Sequence, residues 1–278
     1  MHAFPKFIAL TALMLTAPLL VSLHAGAADL DADTIVRKAN HVSLYQGQDV
    51  TGRMALAITD SQGRVRKREM TMLRRDENDA AEQQYYVYFL EPADVRKMVF
   101  MVHKHTASGQ DDDRWLYMPS LDLVKRIAAS DKRTSFAGSD FLYEDISGRA
   151  ITEDTHELIG ETDTEYLLES TPNASDSVEF SHYHTHVDKT TFLPMHLRFF
   201  KKGDRPYRTI DVTRVENIEA GDNGQTVVYP TVVESVAKDL ESGSVTVMSL
   251  SRISYNQGLG ADLFTERYLR KPPREVTR

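Results

Sequence analysis

The segment DDDRWLYMPSLDLVKRIAASDKRTSFAGSDFLYEDIS, residues 111–147, combines strand, turn and helix signals in one stretch. Residues 114–118 and 121–127 are short and rich in aromatic and β-branched side chains, which predicts two strands around a proline-containing turn. Ser139 or Asp140 is then placed to cap a short helix. The apolar side chains of that helix would be Phe141, Leu142 and Ile146.

Ser139 follows a glycine and lies near acidic residues, as the nucleophile of some hydrolases does. The nucleophile elbow has the pattern G-x-S-x-G, whereas this chain reads AGSDF at 137–141 and lacks both glycines in register. A serine at a helix start instead accepts a hydrogen bond from a backbone N–H, which stabilises the helix by about 1 kcal/mol. The sequence therefore predicts a structural serine and a protein that is not an enzyme.

Short segments in which apolar residues alternate with polar or small ones dominate the rest of the chain. Residues 53–59 and 65–73 alternate apolar with polar or small side chains around a turn signal, which predicts a hairpin. In total about eleven or twelve strands are expected, and such a row hides its edges by closing or by curling around a core. Helices are few: one capped by Asp33-Thr34 and running to about Val42, and one at residues 262–269. The expected class is mainly β (α+β).

The first residues have the layout of an export signal. One lysine, an apolar run at residues 7–23 and the small residues Ala25-Gly26-Ala27 predict a secretory signal peptide, residues 1–27, that is cleaved after Ala27. The apolar run contains Pro18 and is shorter than the roughly 20 residues that span a membrane. We expect a single domain at residues 28–278.

Composition narrows the function further. The chain has no cysteine, so an exported form would depend on an ordinary hydrophobic core rather than on disulfides, and it lacks the cysteine on which bacterial lipoproteins are acylated. The formal net charge is −8. Because nucleic-acid binding requires clustered positive charge, this balance argues against a nucleic-acid partner.

The segment 111–147 resembles the signature of the periplasmic outer-membrane lipoprotein-sorting family, the relatives of LolA and LolB. The resemblance rests on a W-x-Y-x-P strand at 115–119, an R-I turn at 126–127 and a G-S-D-F-x-Y-E-D run at 138–145. A second similarity is VDKTTFLP at 187–194, which is similar to a D-x-x-T-x-L-P hairpin of that family. No match is found to the positions with which the lipoprotein carriers latch their lid.

The resemblance implies a half-open antiparallel β-barrel of about eleven strands, with a few short helices that lid or plug a hydrophobic cavity. It also implies a periplasmic carrier of lipid or acylated lipoprotein in a Gram-negative bacterium, which serves an inner-membrane exporter of the resistance-nodulation-division (RND) type and an outer-membrane acceptor. The alternative is a binding subunit of such an exporter that does not shuttle. Neither function requires a cofactor.

Apolar strand faces are the candidate lining of that cavity. A filled barrel core would show the same alternation, and the sequence leaves both interpretations open. The candidate lipid-binding residues are Met54, Leu56, Ile58, Phe89, Met98, Phe100, Trp115, Tyr117, Phe141 and Leu142.

Histidines form the remaining candidate site. His182, His184 and His186 lie two residues apart, so a strand would place them on one face, where two imidazoles could share a metal ion. Histidines at a solvated rim would show the same pattern, and the sequence is interpreted without a metal.

Overall fold

Thirteen antiparallel strands form one sheet in the part of the chain that the computed structural model describes, residues 1–2, 30–77, 82–107 and 109–277. The strands are β1 (Asp49–Thr59), β2 (Val65–Asp76), β3 (Gln83–Glu91), β4 (Val99–Lys104), β5 (Asp113–Met118), β6 (Leu123–Arg126), β7 (Asp154–Glu161), β8 (Glu165–Pro172), β9 (His182–Asp188), β10 (Pro194–Phe200), β11 (Pro206–Asp222), β12 (Gln225–Asp239) and β13 (Val245–Tyr255). Their order in the sheet is β6-β5-β4-β3-β2-β1-β13-β12-β11-β10-β9-β8-β7.

The helices are short except for the first. They are α1 (Ala32–Leu44), α2 (Tyr143–Ser147), α3 (Arg267–Arg270) and α4 (Arg274–Thr277), with 3-10 turns at Pro119–Leu121, Ala129–Asp131, Ile151–Glu153, Ser175–Ser177 and Ala261–Phe264. The cap of α1 is Asp31, whose carboxylate accepts a hydrogen bond from the Thr34 backbone N–H at 2.8 Å. The predicted cap at Asp33-Thr34 was therefore wrong by two residues, and the predicted helix at 262–269 is a 3-10 turn followed by α3.

The sheet is open, and its two edges are consecutive in sequence. β6 and β7 lie at opposite ends of the strand order, so the connection between them, residues 127–153, spans from one edge to the other. We call this connection the strap; it contains α2. The expected half-open antiparallel architecture with few short helices is confirmed. The strand absent from the sequence prediction is β7, which pairs only with β8 in the described sheet.

The strap packs on one face of the sheet, which we call the inner face. Alternate residues of β1 to β4 form a buried cluster there together with strap residues. We call it the filled cluster, because its largest side chains are almost fully buried. Its members include Leu56, Ile58, Phe89 and Phe100 from the strands and Phe136, Phe141 and Ile146 from the strap.

The C-terminal segment, residues 257–277, covers the outer face of β2 to β5. Leu263, Phe264, Leu269 and Val276 pack against outward side chains of those strands, including Trp115 and Tyr117. The segment begins where the Asp49 carboxylate accepts backbone N–H groups of residues 257–259 at 2.7–2.9 Å.

In the described ranges, no helix is long and apolar enough to span a bilayer. The predicted signal peptide falls, apart from its first two residues, outside the described residues.

Candidate functional site

A cavity of about 440 Å³ lies on the inner face beside the filled cluster. Its floor is formed by inward side chains of β8 to β13, and β1 and β2 contribute Met54 and Met72. The inward position of each side chain follows from strand alternation: Tyr183, Thr185 and Val187 of β9 line the cavity, and the histidines between them point to the other face.

The walls are supplied by helical segments. Val36 and Ala39 of α1 line one side, and strap residues supply another. Ile35, on the same helix, is fully buried. The lining is mostly apolar, and its apolar members include Leu168, Leu193, Leu197, Ile210, Val233, Met248 and Leu250.

Carboxylates of the strap dock it onto the sheet. The Asp140 carboxylate accepts hydrogen bonds from the hydroxyls of Thr246, at 2.6 Å, and of Ser244, both near the start of β13. The Asp145 carboxylate pairs with the Arg208 guanidinium of β11 and accepts the Leu142 backbone N–H at 2.6 Å. These contacts hold Phe141, Leu142 and Ile146 over the cavity.

A buried ionic cluster holds the end of the strap to β7. The Arg149 guanidinium lies 2.8 Å from Asp154 and 3.2 Å from Glu144, and Lys132 lies 3.2 Å from Glu144 and 2.9 Å from Glu153. Burial by itself would lower the pKa of Arg149, but the hydrogen bonds to Asp154 and the charges of the two glutamates outweigh it and raise that pKa. The cations and anions of this cluster are thus paired with one another.

Ser139 has a structural role different from the predicted cap. Helix α2 begins later, with Leu142 as its N-cap residue, because Asp145 satisfies the Leu142 N–H. The buried Ser139 hydroxyl donates toward the Phe136 carbonyl at 2.6 Å and accepts from the Phe141 N–H at 3.2 Å. It therefore closes a tight turn, and its hydrogen-bond partners in the described residues are all backbone groups.

The predicted lipid-binding residues fall into three places. Met54, Phe141 and Leu142 line the cavity. Leu56, Ile58, Phe89 and Phe100 belong to the filled cluster, with Met98 packed against it. Trp115 and Tyr117 lie on the outer face, since Phe100 pairs with Leu116 across β4 and β5 and this register turns both aromatic rings away from the inner face.

Sequence reasoning missed most of the cavity floor. The inward residues of β8 to β13 mostly alternate with charged or polar ones, as at Leu197 between His196 and Arg198, so the strand signal was present. Strand alternation does not reveal where the strap lies. The strap covers one part of the inner face and leaves another part open as the cavity.

Two comparisons with known proteins concern the sequence. A family model described as "Uncharacterized protein" matches residues 81–271, which is more than half of the chain. A search of the curated proteins finds no match.

Several solved structures are similar over most of their length. A DUF1329 family protein from Desulfovibrio piger is 29% identical, with a TM-score of 0.74 over 85% of this chain and 96% of that one. A putative outer membrane lipoprotein-sorting protein domain from Vibrio parahaemolyticus is 21% identical, with a TM-score of 0.74 over 86% of this chain and 98% of that one.

A LolA superfamily protein from Nitrosomonas europaea is also 21% identical, with a TM-score of 0.62 over 86% of this chain and 99% of that one. At this level of identity the last two similarities concern the fold. The chain belongs to the family of the matching model, and it shares its open-sheet fold with these three solved structures.

Proposed function

We propose that the protein is a periplasmic carrier that shelters an acyl chain of a lipid or lipoprotein in the inner-face cavity. The observation that supports this proposal is the apolar cavity itself. Its volume of about 440 Å³ falls within the roughly 300–1,000 Å³ of known small-ligand sites. Met54, Met72 and Met248 contribute flexible side chains, which suit a site that accepts chains of varied shape.

The energetics favour an apolar ligand. Each methylene that leaves water contributes about 0.8 kcal/mol, so an acyl chain of about sixteen carbons favours burial by roughly 12 kcal/mol. The cavity, rather than the buried cluster beside it, offers open apolar volume, so we place the chain between α1, the strap and the floor at β8 to β13.

Binding is a better description than catalysis. Two pairs of polar groups at the border of the cavity bind each other: Tyr183 donates to Asp154 at 2.8 Å, and Arg208 pairs with Asp145. Burial, followed by the charge of Asp154, raises the pKa of the Tyr183 hydroxyl, so Tyr183 stays protonated at neutral pH. A border whose polar groups are paired suits an apolar ligand.

The partners belong to the same proposal. An RND-type exporter in the inner membrane and an acceptor in the outer membrane are the partners that the family resemblance implies. The same cavity would also suit an accessory subunit that retains its ligand. Transfer of a labelled lipid between two vesicle populations separates these functions, because a carrier accelerates transfer and a retaining subunit does not.

The direct test is binding of a fluorescent apolar probe to the purified protein and two matched variants. Leu250 lines the cavity, whereas Leu240 is an exposed turn residue outside it. We expect Leu250→Glu to abolish probe uptake, because a carboxylate in an apolar cavity must be desolvated, and Leu240→Glu to bind as the unaltered protein does. Folding of each variant is checked by circular dichroism. Absence of uptake by the unaltered protein would show that the cavity does not serve apolar ligands.

A further inference from the structure

Histidines and carboxylates line up on the outer face behind the cavity. His182 and His184 of β9 point outward because Tyr183 between them and Thr185 after them line the cavity. Glu169 of β8 pairs across the sheet with His184 and points the same way. We propose that Glu169, His182 and His184 bind a first-row divalent transition-metal ion such as Zn²⁺.

The distances bring the three groups within reach of one ion. One ligand atom from each residue lies within 4.8 Å of the others, and the His184 Nε2 lies 3.0 Å from a Glu169 carboxylate oxygen. Ligand atoms of a tetrahedral zinc ion are roughly 3.4 Å apart, given bonds of about 2.0–2.1 Å. Small rotations of these half-buried side chains would close the difference. Two imidazoles and one carboxylate match the donor preference of zinc.

An aromatic side chain holds both imidazoles in place. The Phe200 ring stacks on His182 with centroids 4.7 Å apart and planes 4° from parallel, and it also contacts His184 at 4.8 Å. The two imidazole centroids are 5.4 Å apart. Because both rings are already ordered, metal binding has less side-chain entropy to overcome.

Hydrogen bonds around Ser181 determine which ring nitrogen of His182 carries the hydrogen. The Ser181 hydroxyl has a single hydrogen. It shares this hydrogen between two acceptors, the Phe200 carbonyl at 3.1 Å and the Lys201 carbonyl at 3.0 Å. Toward the His182 Nδ1, 3.0 Å away, the Ser181 oxygen is then the acceptor. This assigns the hydrogen of His182 to Nδ1 and leaves the Nε2 lone pair for a metal, as in many zinc sites.

The surrounding charges are balanced. Glu157 lies opposite Glu169 and adds a second carboxylate, whereas Arg198 lies opposite His184 and adds a positive charge. Both are exposed, so solvent screens their effects on the site. Three protein ligands leave a fourth position toward solvent, which water or a partner's side chain can occupy.

Calorimetric titration of the untagged chain with Zn²⁺ tests the site. We expect one saturable site whose affinity falls at least tenfold in His182→Ala and in Glu169→Gln. The matched control is His196→Ala, because His196 lies on the same face and pairs with Asp211 at 2.9 Å but is not one of the three ligands. Its affinity should equal that of the unaltered protein.

Cobalt provides an independent readout of the same site. Co²⁺ bound to the unaltered protein should give the visible absorption of a low-symmetry nitrogen–oxygen site, and both ligand variants should lose it while their circular dichroism is unchanged. The proposal is refuted if the unaltered protein binds Zn²⁺ without saturation, or if all four proteins bind it equally. Neither result would affect the cavity, since the two sites are on opposite faces.

Discussion

Lys104 connects strand β4 to the strap and carries its charge in the interior. It is 4% exposed, and its ammonium donates to the carbonyls of Ser147 at 2.7 Å and Gly148 at 3.1 Å, at the end of α2. Burial lowers the pKa of Lys104 from 10.5 to about 8, against the attraction of Asp112. The charged form is therefore less favourable in the folded state than in the unfolded chain.

The lowered pKa makes stability depend on pH with a defined sign. Between about pH 8 and pH 10, the unfolded chain keeps the Lys104 proton while the folded protein has lost it, so the free energy of unfolding rises with pH. The full difference between the two pKa values corresponds to roughly 3 kcal/mol, of which roughly 2 kcal/mol is gained between about pH 7.5 and 9.5. Above about pH 10 buried tyrosines oppose it, because burial raises the pKa of Tyr85 and of Tyr207 and their unfolded forms ionise first.

Urea unfolding at three pH values within that window measures the effect. The unaltered protein should gain roughly 2 kcal/mol from about pH 7.5 to 9.5, whereas Lys104→Met, which has no titratable group there, should lack that gain. Lys125→Met is the matched control, since Lys125 is exposed, and it should keep the gain. If the free energy of unfolding rises equally with pH in Lys104→Met and in the unaltered protein, the lowered pKa of Lys104 and its cause are refuted.

Three further changes test separate parts of the structure. Gly148→Ala should destabilise the protein strongly, because Gly148 has φ +78° and an added Cβ would lie 2.3 Å from Leu44 Cδ1. Thermal unfolding measures the loss of stability. An unchanged unfolding midpoint would contradict the packing of α1 against the strap. Ser139→Ala should cost about 1–2 kcal/mol in urea unfolding and leave probe binding intact; labelling by an active-site serine reagent would contradict the structural role. Mass spectrometry of the exported protein should find an N-terminus at Ala28 or within two residues, and an uncleaved leader would contradict the predicted signal peptide.

Strand alternation in the sequence was sufficient to predict the class of fold. Residues such as Met54, Leu56 and Ile58 repeat with a period of two and do share one face. The hairpin between β11 and β12 was longer than expected, although Asn223-Gly224 is a strong turn signal and both residues have positive φ.

The assignment of residues to the cavity required tertiary information. Leu56 and Leu250 are both inward apolar residues of neighbouring strands, yet Leu56 is 1% exposed in the filled cluster and Leu250 lines the cavity. The difference depends on where the strap crosses the sheet, which no local pattern contains. Likewise, the outward position of Trp115 depends on the β4–β5 register, because a shift of one residue would reverse it.

Native mass spectrometry of the protein purified without delipidation tests the carrier proposal most directly. A carrier should retain one lipid or acylated ligand per chain, visible as a 1:1 adduct whose fragmentation releases an acyl chain. The Leu250→Glu variant should lose the adduct, and the Leu240→Glu variant should keep it. If the unaltered protein shows only its own mass, both as purified and after incubation with phospholipid vesicles, the cavity does not hold an acyl chain and the carrier proposal is wrong.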